Sequence, residues 1–157
     1  MSVVPCALCF VVVLVLPVTA GATVLLPADM TTIVGGSELV VHGRVVDVTS
    51  ALSDGRRSIY SVVTVAVDEA LKGSPGRMVT FRIPGGQVGR YRRIVVGTPE
   101  FAPGEEVVVF LRGAPPNMPV LFGLSQGVYR VRRSDATSRQ AASNFIGRVR
   151  ALAGSAR

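Results

Sequence analysis

The sequence predicts an all-β fold, a small closed β-barrel followed by one amphipathic C-terminal helix. From Leu39 onward, short runs rich in Val, Ile, Tyr and Phe alternate with clusters of Gly, Pro, Asp and Ser. After Arg133 the apolar spacing changes to that of a helix. The chain has 157 residues, of which 48% are apolar, enough for one compact domain. A barrel is favoured because closure removes the edges that Val-rich strands otherwise expose.

Residues 1–22 predict a secretory signal peptide. Residues 3–16 form an uncharged run that is shorter than the roughly 20 residues a membrane-spanning helix needs. Pro17 ends the run, and Ala20-Gly21-Ala22 supplies small residues, so we place cleavage after Ala22. An uncleaved anchor is the alternative, since no Lys or Arg precedes the run. The sequence thus predicts a protein that is secreted or exported to the periplasm or cell envelope.

The predicted mature chain, residues 23–157, is a single domain without cysteine. Cys6 and Cys9 are the chain's two cysteines, and both lie within the signal segment. Disulfide bonds and thiol catalysis are therefore excluded for the mature chain.

The strand predictions follow from alternating apolar and polar residues. The first strand covers residues 39–49, and Gly43 within it predicts a bulge or bend that carries one long strand across two halves of a sheet. The other predicted strands are residues 58–67, 78–83, 91–96, 106–112, 120–124 and 128–132. We expect nine side chains to be largely buried: Val41, Val45, Val63, Val65, Phe81, Val108, Phe110, Phe145 and Val149.

Two helices flank the predicted strands. Residues 28–34 predict a short helix that ends at Gly35-Gly36. About residues 135–152 predict the C-terminal helix, with Ser134 or Asp135 as its N-cap. We expect its apolar stripe to pack on the barrel, and contact with a membrane surface is the alternative.

Groups suited to catalysis are few, so we predict no enzyme activity and no metal or cofactor. His42 is the only histidine, and a lone strand histidine is usually an exposed or hydrogen-bonded structural residue. The pairs Asp68-Glu69 and Glu105-Glu106 are strand neighbours that point to opposite faces, so neither predicts an acid/base couple. The glycine-rich residues 84–89 precede a strand rather than a helix, which argues against a phosphate loop. We predict a flexible hairpin loop there, with room to contact a partner.

Two arginine clusters supply the candidate binding residues of a chain with 17 Lys+Arg, 10 Asp+Glu and a net charge of +7. They are Arg90, Arg92, Arg93 and Arg130, Arg132, Arg133. Alternation predicts that Arg130 and Arg132 share one face of the last strand. A solubilising surface is the alternative interpretation. Only Tyr91 and Tyr129 adjoin the clusters, so nucleic acid is not an expected partner.

Two strand motifs and a third run resemble a known family. Residues 38–48 are ELVVHGRVVDV, residues 60–73 begin with a Tyr, continue with alternating Val and end in Leu-Lys-Gly, and residues 104–111 are GEEVVVFL. Over about residues 38–112 this pattern is similar to netrin-like modules and tissue inhibitors of metalloproteinases. The resemblance implies an OB-like barrel. Members of those families carry an N-terminal Cys, which in the inhibitors ligates the protease zinc, and several disulfides. The predicted mature chain has none of these cysteines.

We therefore expect an exported, non-enzymatic module that binds another protein through its barrel face and loops, especially residues 85–93. The alternative is a basic module that its arginines hold to an anionic polymer or to lipid headgroups of the cell envelope. A membrane is otherwise expected as a partner only through an uncleaved signal segment. Inhibition of a metalloprotease is the least favoured function. High salt should weaken attachment driven by charge and spare a contact driven by shape.

Overall fold

The computed structural model describes residues 29–53, 58–113, 116–132 and 134–155. Within these ranges the chain is mostly β, with a six-stranded sheet, a separate two-stranded hairpin and a C-terminal helix, as the sequence predicts at that level. The elements in chain order are α1 (Met30–Gly35), β1 (Leu39–Leu52), β2 (Ile59–Lys72), β3 (Met78–Pro84), β4 (Gly86–Val88), β5 (Tyr91–Arg93), β6 (Glu106–Arg112), β7 (Val120–Leu121), β8 (Val128–Arg130) and α2 (Ala136–Ser155). The predicted signal segment lies outside the described residues.

The sheet is built on a long antiparallel hairpin of β1 and β2, each of 14 residues. β3 pairs with the other edge of β2, and β7 joins β3 to β6. β6 pairs with three strands, since it also pairs with the first half of β1 and with β8. Among the described strands, β1 therefore has a neighbour on both sides only along its first half.

Gly43 lies where β1 changes its pairing, and the register with β2 shifts between His42 and Gly43. A Cβ atom at Gly43 would overlap the carbonyl oxygen of Ala66 and lie 2.9 Å from Cγ1 of Val65. A glycine is needed here because the backbones of β1 and β2 approach so closely. The sequence predicts a bulge or bend at this residue, and the structure shows a shift in register there.

Two apolar clusters lie on the two faces of the sheet. On one face, β1, β2, β3, β6 and β7 bury a core of twelve side chains, led by Phe81 with 0% exposure. On the other face, α1 and α2 cover Val40, Val108 and Phe110. β6 is buried on both faces, which explains its unbroken apolar run from Val107 to Leu111. Eight of the nine predicted core residues are buried, and the ninth, Phe145, is half-buried and stacks on Tyr129.

α2 begins where the sequence predicts it to begin. Asp135 is the N-cap residue, and its Oδ1 accepts the backbone N–H of Ser138 at 2.7 Å. The helix runs about three residues further than predicted, to Ser155, and buries Ala142, Val149 and Ala153. No helix among the described residues is long and apolar enough to cross a membrane.

Several strand ends and one loop differ from the sequence prediction. β1 continues to Leu52 and β2 to Lys72, three and five residues further than predicted, because the two strands pair with each other over that length. The strand predicted for residues 91–96 ends at Arg93. Its partner β4 has only three residues, because Gly85, which precedes β4, has a positive φ and does not continue the strand. The strand predicted for residues 120–124 ends at Leu121, since Gly123 and Leu124 both have left-handed backbones that start a 3₁₀ turn. β8 ends at Arg130, two residues early. Residues 86–88, predicted as loop, form β4.

Candidate interaction surface

The β4–β5 hairpin, residues 86–93 and called the arm below, is joined to the main sheet at its base. Gly85 donates its backbone N–H to the carbonyl of Ile59 at 2.9 Å and accepts a bond from the Ser61 hydroxyl, also at 2.9 Å. Ser50 Oγ lies 2.9 Å from Ser61 Oγ and accepts the backbone N–H of Gln87 at 3.2 Å. These bonds fix the start of β4 against the last part of β1 and the start of β2.

Glycines allow the arm to form. Gly86 has a φ of 135°, and a Cβ atom there would collide with the hydroxyl oxygens of both Ser50 and Ser61. At the tip, Val88 pairs with Tyr91, so the turn consists of Gly89 and Arg90. Gly89 has a φ of 57°, the conformation that a two-residue hairpin turn requires at its first position. The hairpin predicted for this segment is therefore present, and its two sides pair as β4 and β5.

The arm borders two clefts that share Arg92, Arg93 and Ile94 as lining residues. The inner cleft, of about 370 Å³, lies between the arm and residues 95–101 and includes Ile83 of β3. The outer groove, of about 720 Å³, joins the arm to the end of the β1–β2 hairpin. The residues of the outer groove are Leu52, Ser58, Ile59, Tyr91, Arg92, Arg93 and Ile94.

Large apolar side chains are exposed at the outer groove. The exposed fractions are 39% for Leu52, 60% for Tyr91 and 75% for Ile94, and Val96 close by is 93% exposed. Most proteins bury side chains of this kind, and an exposed apolar group rimmed by charges is typical of an interaction site. Sequence analysis missed this exposure because it placed residues 91–96 in one strand of the fold. Arg92 and Arg93 interrupt the alternation of apolar and polar residues in this segment, and this interruption is the signal that could have indicated the exposure.

The first arginine cluster lies on the arm, and its three members have different surroundings. Arg90 donates a 3.1 Å hydrogen bond to the Tyr91 hydroxyl, and its guanidinium lies 5.2 Å from the centre of that ring. Arg92 lies 3.4 Å from Glu100, but the two side chains are 60% and 90% exposed, so water screens the pair. Arg93 is exposed, and no ion pair joins it to another described side chain.

The second arginine cluster lies partly beside the first. Arg130 donates to the backbone oxygen of Glu100, and its Nε lies 3.6 Å from Oε1 of Glu105. Glu100 thus contacts Arg92 through its side chain and Arg130 through its backbone. Arg132 is exposed and lies two residues beyond the end of β8, whereas the sequence predicts it within that strand. Arg133 lies outside the described residues.

The other titratable residues singled out from the sequence lie away from both clefts. His42 Nε2 lies 2.7 Å from Glu106 Oε1, and neither side chain lines a cleft. Glu105 and Glu106 have different partners, as strand alternation predicts, and Glu69 receives two hydrogen bonds from Arg150 of α2. Among the described residues, no group of three His, Cys, Asp or Glu side chains could hold a metal ion.

A scan against protein-family models found no match for this chain, and a search of curated proteins found none either.

Proposed function

We propose that this protein is an exported, non-enzymatic binding module that engages another protein through the arm and the outer groove. The observation that carries the proposal is the exposure of Tyr91 and Ile94 beside Arg92 and Arg93 on a hairpin fixed at its base. An ordered apolar surface with charged residues around it can bind a partner without a large loss of conformational entropy. Export is inferred from residues 1–22 alone.

The scaffold, on this proposal, is a closed OB-like barrel related to netrin-like modules and tissue inhibitors of metalloproteinases. The pairings β1–β2, β2–β3, β3–β7, β7–β6 and β6–β1 return to the strand at which they start, which supports closure. The single residue pair between β3 and β7 is the weakest step in that ring. The motifs in residues 38–48 and 60–73 coincide with β1 and β2, the two strands on which the resemblance depends.

The non-enzymatic part of the proposal is supported by how the titratable residues are used. The imidazole of His42 is held by Glu106, with only 10% of each side chain exposed. A general base needs access to a substrate, and this pair lines neither cleft. Glu100 and Glu105 are both in contact with arginines, Glu100 with Arg92 of the arm and Glu105 with Arg130.

Attachment to an anionic polymer or to lipid headgroups of the cell envelope is the second candidate. Arg93 and Arg132 favour it, because both are exposed and neither has an ion-pair partner among the described residues. Arg130 does not favour it, since Glu105 already offsets part of its charge. Binding through the arm accounts for the exposed Tyr91 and Ile94 as well as for the arginines.

The test is capture of a partner by the purified exported chain from the envelope and culture fluid of the exporting cell. The variant I94D should lose the captured protein, because a carboxylate at the groove opposes apolar contact. M78D is the matched control, since Met78 is also exposed (54%) but lies at the start of β3, outside both clefts. Washing at about 0.1 M and about 1 M salt separates the two candidates.

A protein that remains bound at high salt to the wild type and to M78D, but not to I94D, supports the proposal. Binding that disappears at high salt, and that I94D leaves unchanged, assigns the protein to the anionic envelope class instead. Equal capture by all three chains at high salt would move the binding surface away from the arm.

A further inference from the structure

β5 has one edge without a partner among the described strands, and its residues line the outer groove. It pairs with β4 in a two-stranded sheet, and no other described strand pairs with it. All three of its residues, Tyr91, Arg92 and Arg93, are exposed and line the groove. An unpaired strand edge presents backbone N–H and C=O groups that can pair with a strand from another chain.

The groove next to this edge is suited to the side chains of an added strand. Residues in a strand point alternately to its two faces, so every second side chain of an added segment would face the groove. Leu52 and Ile94 offer apolar contact there. An extended segment of about four to six residues would match β5 and Ile94 in length at roughly 3.3 Å per residue.

The charges at the edge select an acidic segment. Arg93 has no ion-pair partner among the described residues, and Arg92 has only the exposed Glu100. Arg90 adds a third positive charge at the tip. Arg92 and Arg93 are neighbours in β5 and point to opposite faces, so a carboxylate on the face of Arg93 would gain one charge-assisted contact there, whereas a Lys or Arg would be repelled.

We propose that the outer groove binds an extended, acidic segment of the partner protein, which adds to β5 as a further strand. This inference rests on the proposed function and specifies how the partner is recognised. The apolar side chains of the segment contact Leu52 and Ile94, and its carboxylates, which alternate with them, contact Arg93.

The probe is a displayed library of random peptides of about eight residues, selected on the purified exported chain. Peptides that alternate Asp or Glu with apolar residues should be enriched. Selection on R93E should lose the acidic preference and gain Lys or Arg. R148E is the matched control, because Arg148 is an exposed residue of α2 outside both clefts, and it should select the same peptides as the wild type.

Backbone pairing is tested by N-methylation of the best peptide, one residue at a time. An added strand directs every second N–H to β5, so methylation at alternate positions should weaken binding at least about fivefold. Methylation at the positions between should change affinity little. The proposal is overturned if binding is insensitive to the methylated position, or if enriched peptides have no acidic preference on the wild type.

The peptide selection and the capture experiment fail independently. If I94D abolishes partner capture while the peptides show no acidic, alternating pattern, the module still binds through the arm but not by strand addition.

A concentration-dependent dimer of the wild type that I94D dissociates would assign the groove to a second copy of this chain. Binding to vesicles of phosphatidylglycerol that R93E abolishes, without peptide enrichment, would assign it to a lipid surface. Either result overturns the proposal.

Discussion

His42 and Glu106 join β1 to β6 through a buried contact. Nε2 of His42 lies 2.7 Å from Oε1 of Glu106, and each side chain is only 10% exposed. The two strands pair along six residues of β1, so this polar contact lies within the most continuous part of the sheet. A buried polar group is expensive to leave without its partner, so loss of either side chain should destabilise the pairing of β1 with β6.

We predict that a double-mutant cycle of H42A and E106A gives a coupling free energy of about 1–3 kcal/mol in urea unfolding. The cycle is needed because Glu106 makes a further interaction, which the single variant also removes. The exposed pair of Arg150 and Glu69 is the control, with side chains 60% and 37% exposed. Its coupling should stay below about 1 kcal/mol. Equal coupling energies for both pairs would contradict the prediction.

Gly43→Ala should destabilise the protein by at least about 2 kcal/mol, since its Cβ would overlap the Ala66 carbonyl and force β1 away from β2. Gly147→Ala provides the opposite case within the same chain. Gly147 lies in α2 with no atom within 4 Å of the added methyl, so the variant should be more stable by about 0.5–1 kcal/mol. Urea unfolding measures both, and a neutral G43A variant would show that β1 can move away at no cost.

Hydrogen bonds hold the pKa of Asp135 below that of an ordinary aspartate. The backbone N–H of Ser138 contributes most, followed by the hydroxyls of Ser134 and Ser138. Because the folded pKa is lowered, the stabilisation is fully present above the unfolded pKa, near 3.9, and is lost as pH falls through the folded pKa. Asp135→Ala should therefore lower Tm near neutral pH, with a difference that narrows below about pH 4. A difference in Tm that does not vary with pH would mean that the carboxylate does not cap α2.

We expect the protein recovered outside the cytoplasm to begin at Thr23. The measurement is N-terminal sequencing, and intact mass gives a second reading of the same site. Ala20→Arg should block processing, because a signal peptidase site requires small residues at this position. Ala28→Arg, beyond the predicted site, is the control and should be processed as the wild type is. A protein that retains residues 1–22 in the membrane fraction would favour the uncleaved anchor instead.

The purified mature chain should not strongly inhibit zinc endopeptidases. The α-amino group and carbonyl of Thr23 could ligate an open zinc position, but the mature chain has no cysteine to pin its terminus by a disulfide. An untethered terminus loses entropy when it becomes ordered on a protease. A panel of such enzymes tests this. Tight inhibition that disappears when one residue is added before Thr23 would move the inhibitor hypothesis to first place.

The sequence by itself determined most elements of the fold. The starts of β1, β3 and β6 agree with the predicted strands, because period-two alternation and Gly/Pro clusters are local signals. Asp135 and the helical spacing after it likewise determined where α2 begins. Gly43 predicted the irregular part of β1, because a glycine inside a strand usually lies where another backbone approaches closely.

Only the tertiary structure decided how the arm is formed and what it exposes. Residues 91–96 all have the composition of a strand, but only those with a partner can form one. The partner strand β4 has three residues, because it begins directly after the positive φ of Gly85. The exposure of Ile94 follows from that truncation, since within the described part of the chain no other element covers it. Arg92 and Arg130 contact the same residue, Glu100, although 38 positions separate them in the chain. Alternation along a strand is a property of neighbouring residues, whereas which distant loop a guanidinium contacts is fixed only when the whole sheet has formed.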